Sequence, residues 1–179
     1  GYAALENNYT AGRNSAVGAF ALNCNVHGSG NSALGYHSLA GNTTGFGNVG
    51  VGPYALNYNK LGNFNIAIGH AAGSDVTSGT NNTFVGGLAG AKCTSGSHNT
   101  GLGSNALAAN TTGVYNVALG YASLDSNTSG GQNIAIGTFA QTNSTTANNN
   151  VAIGHNSLAD CTTGSENVAI GREALKETT

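Results

Sequence analysis

An asparagine opens a five-residue block that closes on glycine at Asn14, Asn31, Asn48, Asn65, Asn82, Asn99, Asn116, Asn133, Asn150 and Asn167, always 17 residues apart. A fixed period of this size constrains the fold more than anything else in the chain, because it specifies stacked units, each too small to bury a core of its own. With the asparagine as position 1, position 4 is aliphatic in every copy from Val17 to Ile170, and position 5 is glycine from Gly18 to Gly171. Position 9 is mostly leucine (Leu22, Leu39, Leu56, Leu107, Leu124, Leu158, Leu175), position 13 mostly threonine, and position 15 glycine apart from Ala11 and Ala147. Residues 1–5 read as positions 5 to 9 of an incomplete copy, and the chain stops inside another at Thr179. The expectation is one repeat domain over 1–179, a fragment of a longer fibre or adhesin.

Only 7% of residues are charged and glycine numbers 29, a composition compatible with disorder. The aliphatic column argues against it, since a disordered chain has no reason to place Val, Leu or Ile at a fixed interval. A net charge of −2, with Arg13, Lys60, Lys92, Arg172 and Lys176 scattered, offers no footprint for nucleic acid. No apolar run approaches the ~20 residues a membrane span needs. Cys93 and Cys161 share position 12 four copies apart, roughly 19 Å at ~4.8 Å per stacked strand, which is too far to bridge. Cys24 is as remote from Cys93, so all three cysteines are expected as free thiols.

A unit this short cannot hold a helical hairpin, and its apolar residues do not follow a 3.6-residue period. The spacing predicts two short strands per unit, at positions 1 to 5 and roughly 8 to 13, separated by glycine turns in which each glycine supplies a backbone angle that a side chain would penalise. Stacked in register, ten and a half such coils make an all-β solenoid ~50 Å long. Asn65, Gly69, Asn116, Gly120, Asn133 and Gly137 represent its ladder and turn columns, the asparagines passing amide hydrogen bonds from coil to coil.

One exception indicates which side chains point inward. Position 3 is Ala or Gly in every copy except Phe84, and the neighbouring position-9 leucines are missing at Gly73 and Gly90. A large residue therefore appears where two large ones vanish, which places positions 3 and 9 in one narrow interior. Alternation along a strand then turns positions 2 and 4 outward. Those residues include Ile66, Ile68, Val117, Leu119, Ile134, Ile136, Val151, Ile153, Val168 and Ile170, an aliphatic stripe that needs a cover. Self-association meets the need, and in a parallel homotrimer three stripes meet on an axis. The alternative is that position 4 alone is core and position 2 half exposed, since position 2 is Ser or Thr at Ser15, Ser32, Thr83 and Thr100.

Blocks such as Asn133-Ile134-Ala135-Ile136-Gly137 and Asn167-Val168-Ala169-Ile170-Gly171 resemble the head repeats of YadA-like trimeric autotransporter adhesins. The phrase Asn110-Thr111-Thr112-Gly113 through Asn116-Val117-Ala118-Leu119-Gly120-Tyr121-Ala122-Ser123-Leu124 is similar to repeats of bacteriophage and large-virus fibre proteins. The resemblance covers the whole chain. It implies a left-handed parallel β-roll, three chains side by side, and an extracellular role in adhesion on a virion fibre or bacterial surface. The 17-residue period favours the fibre type, because adhesin heads mostly use a shorter repeat.

The side chains offer little for catalysis. The seven acidic residues form no acid-base pair or calcium loop, the glycines lack the Lys-Ser/Thr partner of a phosphate loop, and no nucleophile set falls on neighbouring coils. His70 and His155 share position 6 five coils apart, so one chain holds no metal pair, and no cofactor is expected. The informative variation lies at the turns, where Tyr36, His37, Tyr54, Tyr121 and Phe139 are the binding candidates for a glycan or protein receptor on a host surface. Two further readings stand beside adhesion. One is an ice-binding solenoid using the position-13 threonines; the other is a spacer with no ligand of its own.

Overall fold

The computed structural model describes residues 1–177, so the copy that ends at Thr179 runs past the described part. Ten strands of three residues recur at the repeat interval: β1 (Ser15–Val17), β2 (Ser32–Leu34), β3 (Val49–Val51), β4 (Ile66–Ile68), β5 (Thr83–Val85), β6 (Thr100–Leu102), β7 (Val117–Leu119), β8 (Ile134–Ile136), β9 (Val151–Ile153) and β10 (Val168–Ile170). They form one parallel sheet in sequence order, with no helix among the described residues. Each residue pairs with its counterpart one repeat later, as in Ile66 with Thr83 and Ala67 with Phe84. The chain is a β-solenoid of about nine turns between the first strand and the last.

Only one strand forms per coil, and the second expected at positions 8 to 13 does not. Positions 5 to 12 instead make three consecutive tight turns, seen in the second coil as Ser38 N to Gly35 O, Ala40 N to His37 O and Asn42 N to Leu39 O. The intervening amides bond between coils, with His37 N donating to Ala19 O, Leu39 N to Ala55 O and Gly41 N to Asn57 O. Alternate amides thus point within the coil and along the stack, which an extended strand cannot do. The geometry requires left-handed backbone at positions 7 and 9, with φ of 54° at His37 and 53° at Leu39. A residue with a side chain held there costs about 1–2 kcal/mol. Leucine persists at position 9 because burial and the inter-coil bond outweigh that strain.

The interior is a narrow column of position 3, 8 and 9 side chains. Leu22, Leu39, Leu56, Leu107, Leu124 and Leu158 are fully buried, as are Ala67, Ala118 and Ala135 at position 3. Phe84 is buried too, and a β-carbon added at Gly90 would lie 2.4 Å from its ring, one at Gly73 3.1 Å away. The large-for-small exchange expected from the sequence is therefore a physical contact. Position 9 of the eighth coil breaks the rule with Gln141, which is fully buried, donates to Asn133 Oδ1 and Ser144 Oγ, and leaves its Oε1 without a partner.

Two asparagine ladders flank this core. At position 1, the side-chain oxygen accepts the backbone N–H of the next asparagine, as from Asn82 to Asn65 at 3.0 Å, while Nδ2 donates to the position-15 carbonyl of its own coil, as from Asn65 to Gly79 at 2.8 Å. The same pair of bonds recurs from Asn14 to Asn150. A second ladder runs along position 12. Asn42 Nδ2 donates to Asn25 Oδ1, Asn59 to Asn42 and Asn127 to Asn110, each also donating to the position-15 carbonyl three residues on. Where Val76 and Ser144 interrupt it, the oxygens of Asn59 and Asn127 are buried with no partner. Glycine at position 15 serves space and not backbone angle, since a β-carbon at Gly45 would lie 2.4 Å from the Gly62 carbonyl; the column admits one buried methyl, at Ala147. Position 5 does need the angle, φ being 135° at Gly69.

Two measurements check this packing. In denaturant titrations Gly90→Ala and Phe84→Ala should each destabilise, the latter by about 3–5 kcal/mol, and the double variant should be more stable than the sum predicts by at least ~1 kcal/mol. Additivity would contradict the contact. Likewise Val76→Asn alone moves the orphaned oxygen one coil along, whereas Val76→Asn with Cys93→Asn joins Asn59 to Asn110. Their coupling should be favourable by about 1–2 kcal/mol.

Candidate functional site

Three surfaces carry the residues with functional potential. The first is the outer face of the sheet. In each strand the central residue is buried, apart from the half-buried Ala16, and its two neighbours are exposed or half-buried. Ile66, Ile68, Ile134, Val168 and Ile170 are exposed, and Val117, Leu119, Ile136, Val151 and Ile153 are half-buried. Positions 2 and 4 carry no charged side chain in any copy. The face is an uninterrupted run of short side chains, apolar from Val49 onward except for Thr83 and Thr100.

The second surface is the turn after position 5. Left-handed backbone at position 7 stands that side chain out from the coil, and the period brings like positions together. Tyr2, Phe20, Tyr36, His37, Tyr54 and His70 form one continuous aromatic strip, with ring centroids 4.4 Å apart for Tyr36–His37 and 5.4 Å for Tyr36–Tyr54. The Tyr54 phenol is held above its ordinary value, first by desolvation and then by Tyr36. Tyr121 and Phe139 make a separate edge-to-face pair at 5.3 Å, extended by His155. The structure therefore joins Tyr36, His37 and Tyr54 but places Tyr121 and Phe139 four coils away.

The third surface was not read from the sequence. A shallow groove of about 270 Å³ lies between the position-7 side chains of Phe20 and His37 and the position-11 ring of Tyr58, over a floor that includes Ala40 and Gly41. Its one sequence signal is Tyr58, the single aromatic in the position-11 column. Further along the same columns a second groove of about 290 Å³ is lined by Leu88, Lys92, Ala108 and Asp125 among others. Half-burial holds the Asp125 carboxyl above the usual carboxylate range.

Other candidates are absorbed by the framework. The hydroxyls of Thr43, Thr77, Thr94, Thr111, Thr128 and Thr145 each donate to the backbone carbonyl of the residue one repeat later, at 2.8–3.3 Å. Among the described residues no three His, Cys, Asp or Glu side chains come together as a metal site. Of the Asn-x-Ser/Thr sequences, Asn42, Asn110 and Asn127 are buried ladder amides, whereas Asn81 and Asn143 are exposed. The three cysteines are free thiols, Cys24 exposed and Cys93 and Cys161 buried. Cys93 and Cys161 stand in for ladder asparagines, each donating to a position-15 carbonyl at 3.4 Å.

Comparison with protein-family models, with curated proteins and with solved structures finds no match to this chain.

Burial pushes the Cys93 thiol up to about 12 from an ordinary 9.0, partly offset by the Asn110 amide. Below pH 9 the thiol is protonated in both folded and unfolded chains. Above it the unfolded chain ionises first, so stability falls as pH rises from about 9 to about 12, on the order of 1 kcal/mol per pH unit. Chemical unfolding across that window should show the slope, and Cys93→Asn should remove its share. At neutral pH a thiol reagent should label Cys24 in the native protein and reach Cys93 and Cys161 only after unfolding.

Proposed function

We propose that the chain is a rigid, non-enzymatic repeat segment of a trimeric surface fibre, of a virion or a bacterial cell surface, which provides length and carries receptor contacts on its turns. The observation that supports this reading is the uncharged aliphatic stripe on the outer face of the sheet. It runs through strands that advance ~4.8 Å per coil, so it is ~40 Å long and one strand wide. Exposed apolar surface of that continuity marks an interaction site.

Its periodicity favours a second copy of the same chain as the cover. In a parallel arrangement, columns that repeat every 17 residues meet identical columns at every level, which no unrelated surface would match over this length. The repeats' resemblance to trimeric adhesin heads and viral fibres sets the number at three. The aromatic strips and the groove lie at positions 6, 7, 10 and 11 and leave positions 2 and 4 free to meet on the axis. The location outside the cell and the host receptor belong to the same proposal.

Light scattering coupled to size-exclusion chromatography is the test. The expected mass is three times 17.6 kDa, and Ile134→Asp with Ile136→Asp should give a folded species of lower mass, because two carboxylates per chain would be buried at the axis. A monomeric wild-type chain at micromolar concentration would overturn the reading.

A further inference from the structure

The groove between Phe20, His37 and Tyr58 has a chemistry of its own. We propose that it is a subsite for one neutral hexopyranose residue of a glycan. The proposal deepens the fibre reading by naming a receptor class, and rests on that reading only for its biological purpose.

Two walls are aromatic. Phe20 and His37 stand at position 7 with ring centroids 4.8 Å apart and planes tilted by 35°. Tyr58 faces the groove from position 11 and is 55% exposed. Between them the floor is Ala40 and Gly41; position 11 is glycine only in this copy, and a β-carbon there would lie 2.8 Å from the Asn57 carbonyl, so the floor is bare, close-packed backbone. The C–H face of a pyranose fits against such rings, as any apolar face does against an aromatic one.

The polar groups are carboxamides. Asn57 and Asn23 both line the groove. Asn23 Nδ2 is committed to Glu6 Oε2 at 2.7 Å and its Oδ1 accepts from the Cys24 thiol at 3.5 Å, which fixes that side chain and leaves the oxygen's second lone pair as the acceptor. Neutral donors and acceptors of this kind suit sugar hydroxyls. No Lys, Arg, Asp or Glu lines the groove, so an anionic ligand finds no fixed counter-charge. A peptide strand finds no edge either, because the floor amides are already bonded, Gly41 N to Asn57 O at 2.7 Å and Cys24 N to Ala40 O at 3.0 Å. The volume of about 270 Å³ is below the ~300–1,000 Å³ of drug-sized pockets and matches a single ring.

The molecule contains its own comparison. The groove further along the same columns has Leu88 in place of the aromatic wall and adds Lys92 and Asp125. Shape alone therefore does not define the subsite; the rings and amides do. The aliphatic stripe lies on other positions, so the groove stays open when the stripe is covered.

Cys24 lies in the groove and reports its occupancy. The experiment measures the rate of Cys24 alkylation in the native full chain, with methyl glycosides of glucose, galactose, mannose and N-acetylglucosamine as probes and N-acetylneuraminic acid as the anionic control. The expected result is saturable protection by at least one neutral glycoside, with Kd on the order of 1 mM. Tyr58→Ala and Phe20→Ala should each weaken it about tenfold, while Tyr121→Ala leaves it unchanged. Uniform alkylation rates across the neutral panel, or protection that survives Tyr58→Ala, would overturn the proposal, as would protection by the anion alone. The mass of each sample is read in parallel. A trimer without protection removes the subsite and keeps the fibre; a protected monomer does the reverse.

Discussion

A carboxamide at the first position of each coil, buried from Asn31 to Asn150, ties the stack together. Its oxygen accepts from the backbone of the coil on one side, and its nitrogen closes the end of its own coil onto its start. Each such bond is worth only about 0.5–1.5 kcal/mol net, but an amide left unpaired there would cost about 1–3 kcal/mol. The ladder thus selects against any slip in register more strongly than it adds to stability. Everything else inherits that register, including three-residue strands too short to hold a sheet alone, and the left-handed backbone at positions 7, 9 and 17.

The cross-section follows from the same constraint. Coils separated by one strand spacing leave room inside for little more than alanine and one leucine per level. Glycine at position 15 allows the ladder carbonyls of adjacent coils to approach, and glycine at position 5 turns the chain out of the strand. With so thin an interior, strand residues on the outer face cannot be drawn in. The apolar stripe is therefore a consequence of the coil geometry together with the choice of Val and Ile at positions 2 and 4, and it is the feature from which the proposed assembly is argued.

Much of this was legible in the sequence because a repeat converts columns into contacts. The period gave the parallel, in-register sheet, and the exchange of Phe84 against Gly73 and Gly90 gave the interior. The second strand was misassigned because an apolar stretch between glycine turns also fits successive tight turns of alternating backbone sign, in which positions 8 and 9 are both buried instead of facing opposite ways. Leucine gives no hint that it will adopt positive φ, as it does at Leu39 and Leu56. The position-12 ladder was hidden by its interruptions at Val76, Cys93, Ser144 and Cys161. The aromatic candidates were visible as exceptions, but their division into two strips, and the Tyr58 groove, depend on distances between columns that a linear sequence does not encode.

The register depends on the position-1 asparagine amides being buried and bonded, as they are from Asn31 to Asn150. The most direct measurement is hydrogen exchange of the side-chain amide protons of Asn82, Asn99, Asn116 and Asn133 by NMR. Fully buried and bonded on both sides, they should exchange on the timescale of the protected strand amides, orders of magnitude more slowly than those of exposed Asn81 and Asn143. Side-chain amides that exchange as quickly as the exposed ones would show that the ladder is open in solution and that some other interaction sets the register.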